Sequence, residues 1–162
     1  MTIHDSDQTA SDLAHMDRAL ALAQAAADSG EVPVGAVIVD GEGHVVAEAA
    51  NAPIRLSDPT AHAEILVMRS ACDIIGNYRL TGYTLYVTLE PCTMCASAIA
   101  HARIGRLVYG ASDPKGGAVE SGVRFFDQPT CHHRPEVVSG LRADEAAQLL
   151  RSFFRARRKS KQ

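Results

Sequence analysis

The chain reads as an α/β protein: a mixed five-stranded sheet with helices on both faces. Three observations predict it. Short β-rich runs alternate with stretches of helical periodicity, an order that covers a sheet on both sides. The first two runs are joined by a turn, so they pair antiparallel, while the later ones are separated by helical stretches, which makes the sheet partly parallel. And 162 residues with 46 % hydrophobic content suit one core that needs no disulfide staples.

Residues 1–10 are polar and read as a flexible N-terminal tail, leaving 11–162 as one domain. Ser11 caps a first helix. Leu13, Met16 and Leu20 recur at helical spacing, the run is Ala-rich to Ala27, and Gly30 stops it. Val34 to Val39 is nearly continuous apolar sequence, the mark of a strand buried on both faces. Asp40–Gly43 is a turn, and Val45 to Ala50 is the return strand of a hairpin. Thr60 caps a helix running to about Cys72. Tyr83 to Leu89 is β-rich and stops at Glu90-Pro91. A helix from about Cys92 to Ala102 follows, with Pro91 suited to its first turn. Arg106 to Gly110 is another strand. Ser112 to His133 reads as a long loop with one short helix at Val123–Phe126. Glu136 to Val138 is a last strand, and Leu149, Leu150, Phe153 and Phe154 mark the apolar face of a helix starting near Ala143.

The formal net charge is −3, so bulk charge does not single out a nucleic-acid binder. Its distribution is more informative. Arg151, Arg155, Arg157, Arg158, Lys159 and Lys161 crowd one end, whereas Asp5, Asp7, Asp12 and Asp17 crowd the other. A basic end is compatible with a polyanion contact, and equally with a solvated helix terminus whose dipole favours cations. Residues 1–11 lack the basic and apolar regions of a secretory signal, and no apolar run approaches a membrane span. Cys72, Cys92, Cys95 and Cys131 are then expected in the reducing cytoplasm, where paired cysteines more often bind metal or do chemistry than form disulfides.

The chemistry lies in His62-Ala63-Glu64 and Pro91-Cys92-Thr93-Met94-Cys95. Cys92 and Cys95 share a helix face, as two thiolates on one zinc require. A helix N-terminus favours the thiolate form. His62 supplies a third ligand, and the fourth tetrahedral position stays open to water, the arrangement of a catalytic zinc. Glu64, two residues from His62, converges with it only if both lie at the very start of a helix. There Glu64 takes a proton from the zinc-activated water and returns it to the substrate. A structural zinc would want a fourth protein ligand, and no second paired-cysteine motif exists. A redox pair would not need His-x-Glu. Cys131-His132-His133 reads as polar loop rather than a second metal site.

The resemblance extends beyond these motifs. Glu31–Val37 (EVPVGAV), Asp58–Glu64 (DPTAHAE), Asn77–Leu80 (NYRL), Thr84–Cys95 (TLYVTLEPCTMC), Arg103–Arg106 (RIGR) and Phe153–Arg158 (FFRARR) together resemble the bacterial tRNA-specific adenosine deaminases, within the zinc-dependent cytidine/deoxycytidylate deaminase superfamily. The resemblance covers about residues 12–159. It implies a three-layer α/β/α sandwich of the cytidine-deaminase type, one Zn2+ per subunit held by His62, Cys92 and Cys95, and Glu64 as proton shuttle. It implies hydrolytic deamination of adenosine to inosine at the wobble position of an arginine tRNA anticodon loop by a homodimer, with zinc-activated hydroxide attacking C6 of a flipped adenine. It also implies that Asn51 contacts that adenine, that Asp113 lies in a loop lining the RNA groove, and that Phe154 shapes the pocket wall. Arg155, Arg157, Arg158 and Lys159 are then candidates for the RNA backbone. By position alone, Asn51 reads equally as a turn residue, and Phe153 or Phe154 as core. Between about Lys115 and Arg134 the chain departs from the family's pattern, with Ser121–Asp127 and Thr130–His133 the segments that do not follow it. Two rivals share the zinc motif: a free-base or nucleoside deaminase, and a zinc-stabilised tRNA-binding module without activity.

Overall fold

The computed structural model describes the backbone of residues 3–160 and the side chains of residues 7–160. In chain order the elements are α1 (Ile3–Asp28), β1 (Gly35–Val39), β2 (Val45–Ala50), α2 (Pro53–Leu56), α3 (Ala63–Ile75), β3 (Thr84–Leu89), α4 (Thr93–Ala102), β4 (Arg106–Ala111), a 3-10 turn (Phe125–Asp127), β5 (Glu136–Val138) and α5 (Ala143–Ser160). The five strands form one sheet in the order β2-β1-β3-β4-β5. β1 pairs antiparallel with β2 and with β3, while β3–β4 and β4–β5 are parallel. The mixed sheet follows from the connections. A turn suffices between β1 and β2, but β3 and β4 need the α4 crossover.

Every residue of β1 is buried, because the sheet is covered on both faces. On one face Met16 and Ala19 of α1 pack on Val37, Val39, Tyr86 and Val108. The fit is close: a Cβ on Gly35 would lie 2.0 Å from the carbonyl oxygen of Ala19, so only glycine admits the helix backbone there. On the other face Val67 and Ala71 of α3, with Ala96 and Ile99 of α4, pack on Ala36, Ile38, Leu85, Val87 and Leu107. The result is a three-layer α/β/α sandwich.

A buried ion pair fastens α1 to the sheet. Asp12 receives both terminal nitrogens of Arg106 at 2.7 and 2.6 Å and the Tyr86 hydroxyl at 2.6 Å. α1 also begins earlier than the Ser11 cap predicts, with residues 3–10 in the helix; residues 1 and 2 of the expected tail lie outside the described residues. Polar sequence there does not preclude a helix, because each added residue of a nucleated helix gains a hydrogen bond at little cost.

Three other boundaries differ from expectation. Thr60 is not the cap of α3. Its N–H and hydroxyl both bind Asp58, and His62 stands at the cap position. Pro91 precedes Cys92, the cap position of α4, rather than entering its first turn. The short helix α2 lies between Ala50 and Thr60, where the sequence predicts no element. Pro53 starts it, and the buried carboxylate of Glu31 accepts the N–H groups of Ile54 (3.1 Å) and Arg55 (2.8 Å), a cap supplied from a distant segment.

Candidate metal centre and substrate pocket

α3 and α4 start side by side at one edge of the layer, and each presents its cap residue to the other. His62 and Cys92 both have extended backbones, with φ −72°, ψ 151° and φ −74°, ψ 176°, before the chain turns helical. Nδ1 of His62 lies 3.7 Å from the Cys92 sulfur and 3.5 Å from the Cys95 sulfur. The three donor atoms all fall within 4.8 Å of one another, the group of side chains among the described residues placed to hold a metal. Tetrahedral zinc with Zn–S of about 2.3 Å and Zn–N of about 2.0 Å puts nitrogen and sulfur about 3.5 Å apart. The donor set and its spacing therefore fit zinc. Three protein ligands leave one corner of the tetrahedron free.

The electrostatics favour one thiolate in the absence of metal, at Cys92, with Cys95 keeping its proton. The Cys92 thiol is pushed down to about 4 by the Cys95 thiol that donates to it, against the opposing effect of burial, and by His62. Cys95 is raised because it donates that proton to Cys92, and because it is buried. His62 is raised by its contact with the Cys92 sulfur. Glu64, 4 % exposed, is raised by burial, as the Cys92 charge also favours its protonated form. Both helix N-termini add positive potential at this spot.

A cavity of about 370 Å³ opens beside the ligands. It is lined by His62, Glu64 and Cys92, by the apolar Val32, Val34 and Leu89, and by Asn51, Glu90, Asp113 and Gly116. Asn51 also does structural work. Its Oδ1 accepts the Ala63 N–H at 2.8 Å, capping α3 where the helix's own cap residue does not, and this orients its amide nitrogen. Asp113 shapes its own turn, its Oδ1 accepting the N–H groups of Lys115 (3.2 Å) and Gly116 (3.0 Å).

Phe154, expected at the pocket wall, is not among the residues that line this cavity in the single chain. It is 42 % exposed on α5, edge-on to Phe153 with ring centroids 5.4 Å apart. From Arg151 to Ser160 every residue of α5 except Phe153 is exposed. Arg155, Arg157, Arg158 and Lys159 are exposed around it, and Arg157 stacks its guanidinium over the Phe153 ring at 5.2 Å. Lys161 lies outside the described residues. Cys131 and His133 are engaged structurally: the thiol donates to the His133 carbonyl, and Nε2 of His133 donates to the Ile104 carbonyl at 2.7 Å.

Sequence reasoning missed Glu90, which lines the cavity, and Glu31, which caps helix α2 next to it. Each is a carboxylate, 3 % exposed for Glu31 and 2 % for Glu90, that holds backbone N–H groups of another segment. Their signal was an acidic residue next to or near proline within apolar sequence, with no basic partner nearby.

The cytidine and deoxycytidylate deaminase zinc-binding region matches residues 9–111. A tRNA-specific adenosine deaminase of Agrobacterium fabrum is 61 % identical over 143 residues, 88 % of this chain and 93 % of that protein. One of Haemophilus influenzae is 54 % identical over 146 residues, 90 % of this chain and 84 % of that protein. A solved structure from a study of A-to-I editing by tRNA:A34 deaminases at the wobble position of transfer RNA superposes with a TM-score of 0.83 and 60 % identity, covering 84 % of this chain and 98 % of that one.

Proposed function

This chain belongs to the cytidine and deoxycytidylate deaminase zinc-binding family, among the tRNA-specific adenosine deaminases, and we propose that it deaminates adenosine to inosine at the wobble position of a tRNA anticodon loop, that of an arginine tRNA. The observation that carries this reading is the triangle of His62 Nδ1 and the two sulfurs facing a cavity in which Glu64 is buried. His62, Cys92 and Cys95 hold zinc, which when bound acts as a Lewis acid that lets water ionise near neutral pH.

The chain's own residues do the rest. Glu64 removes a proton from water as it adds to C6 of the adenine, and delivers it to N1 of the ring. It then takes the second water proton and passes it to the amino group, which leaves as ammonia while the carbonyl of inosine forms. Burial of Glu64 suits this traffic, because a raised carboxyl both accepts and donates. Asn51, its Oδ1 held by Ala63, directs its amide N–H at an acceptor on the base edge. Val32, Val34 and Leu89 exclude bulk water. An anticodon loop offers the base already unstacked, which lowers the cost of flipping it.

Arg155, Arg157, Arg158 and Lys159 hold loop phosphates, with Phe153 and Phe154 as stacking surface for exposed bases. The family resemblance argues for a homodimer. The face that supports it lies on α3 and α4, where Ile65, Met68, Cys72 and Ala98 line an apolar depression of about 420 Å³ beside Tyr78, itself 70 % exposed. No helix among the described residues is long and apolar enough to cross a membrane, and all four cysteines are free, which suits work in the cytoplasm.

The test incubates the zinc-loaded protein with an anticodon stem-loop carrying adenosine at the wobble position, reading inosine as a base change in sequencing. Inosine should form there far faster than on free adenosine. Comparable turnover of free guanine or cytosine would replace this reading with a free-base deaminase. Zinc without any conversion would replace it with a binding module.

A further inference from the structure

The segment 112–121 brings Asp113 and Gly116 to the lining of the cavity, beside Glu90, yet it contains no helix or strand of its own. Something other than a backbone ladder must fix it. That anchor is Glu90. Its Oε1 accepts the Asp113 N–H and the Ser121 hydroxyl, both at 2.9 Å. Its Oε2 accepts the N–H groups of Val119 (3.0 Å), Glu120 (2.9 Å) and Ser121 (2.9 Å). No arginine or lysine is among these partners. The loop also closes tightly over the carboxylate. A Cβ on Gly117 would lie 2.5 Å from the Glu90 Cδ and 2.6 Å from the Asp113 carbonyl oxygen.

A carboxylate buried without a counter-charge is a costly way to stabilise a strand end, and an apolar residue would do that better. What a carboxylate offers is two acceptor oxygens and no donor, so converging N–H groups find partners in one loop conformation only. Glu90 also stands two residues before Cys92, and Ala118 donates to the Pro91 carbonyl between them at 2.9 Å. The same short segment therefore carries a metal ligand and the anchor of the loop 112–121.

We propose that Glu90 is a positioning residue for the reaction: it locks the loop 112–121, and through it Asp113 and Gly116, in register with the metal ligands, so that the base seats against Glu64. This rests on the deaminase reading given above. The overall grip on RNA belongs to the basic end of α5. Loss of the anchor therefore misplaces the base without releasing the RNA.

Glu90→Gln keeps size and shape but turns one acceptor into a donor facing N–H groups. At a temperature where the variant is fully folded, kcat on the stem-loop should fall about 10- to 100-fold, the scale of an ångström of misplacement. KM should stay within about two-fold, and zinc per chain should match wild type. Trypsin should cut after the exposed Lys115 about ten-fold faster, read by mass spectrometry. Gly117→Ala, which wedges the loop off an intact carboxylate, should reproduce the kcat loss and the cleavage, and it decides the matter if Glu90→Gln does not fold. A kcat within about two-fold of wild type overturns the proposal, and so does loss of zinc, which would make Glu90 a prop of the metal site. Unchanged cleavage after Lys115 overturns it as well. If wild type forms no inosine, the deaminase reading fails, and the trypsin comparison still shows whether Glu90 holds the loop.

Discussion

Asp12→Asn tests how α1 is fastened to the sheet. The Asp12 side chain is 6 % exposed and that of Arg106 17 %, and the carboxylate takes two guanidinium bonds and the Tyr86 hydroxyl. Asparagine fits the space but leaves the Arg106 charge without its buried counter-ion. Breaking a buried pair on one side costs about 3–5 kcal/mol. The lower end applies, because Arg106 keeps some solvent and Glu136 lies 4.0 Å away. At about 2–4 °C per kcal/mol for a chain of this length, Tm should fall by about 10 °C at pH 7. Asp12→Asn with Arg106→Met, which removes both charges, should recover much of the loss. The pH dependence follows from the same contacts. Burial pushes the Asp12 carboxyl up, but the bonds from Arg106, Tyr86 and Gln8 outweigh it and hold the group below the usual carboxylate range. Its stabilising contribution is therefore complete above the unfolded-state pKa of about 4, and drains away as pH falls through the lower folded value. The variant should lack that part of the acid-side loss. Circular-dichroism melts of zinc-saturated protein across pH are the assay. A shift under about 2 °C at pH 7, or an unchanged acid limb, would refute the reasoning.

Four further outcomes are expected. Glu64→Ala should keep its zinc and its fold while single-turnover inosine formation falls about 10²- to 10⁴-fold; residual activity near wild type removes Glu64 from proton transfer. Asn51→Asp keeps the oxygen that caps α3 but lacks the amide donor, so it should melt like wild type and lose activity, whereas Asn51→Ala should also lose about 1 kcal/mol of stability. Chelation should abolish turnover, and zinc but not magnesium should restore it, since one nitrogen and two sulfurs suit the softer ion. Replacing Arg157, Arg158 and Lys159 with alanine should lower the slope of log affinity against log salt by about 2, three phosphates at about 0.7 each; an unchanged slope returns the cluster to a solvated helix end.

The fold was legible where local sequence decides it. The apolar run of β1, the turn at Asp40–Gly43 and the apolar face of α5 are set by short-range periodicity. The metal ligands were legible because spacing and residue type both constrain them. What was not legible depends on partners distant in sequence. Helix α2 is capped by Glu31, twenty-three residues away from Ile54. The cap of α3 comes from Asn51, not from Thr60. The loop after β4 is held by Glu90, up to thirty-one residues away. A side chain that serves another segment's backbone leaves no periodic trace in its own. The surroundings of Phe154 are illegible for the converse reason: an aromatic at helical spacing says which face is apolar, not whether anything covers it.

Helix α2 and the loop after β4, which both reach the cavity, are fastened by acidic side chains of the polypeptide itself, Glu31 on one side and Glu90 on the other. Neither anchor runs through the ion. Stripping zinc with a chelator is therefore expected to leave both borders of the cavity in place, read as an unchanged rate of trypsin cleavage after Lys115.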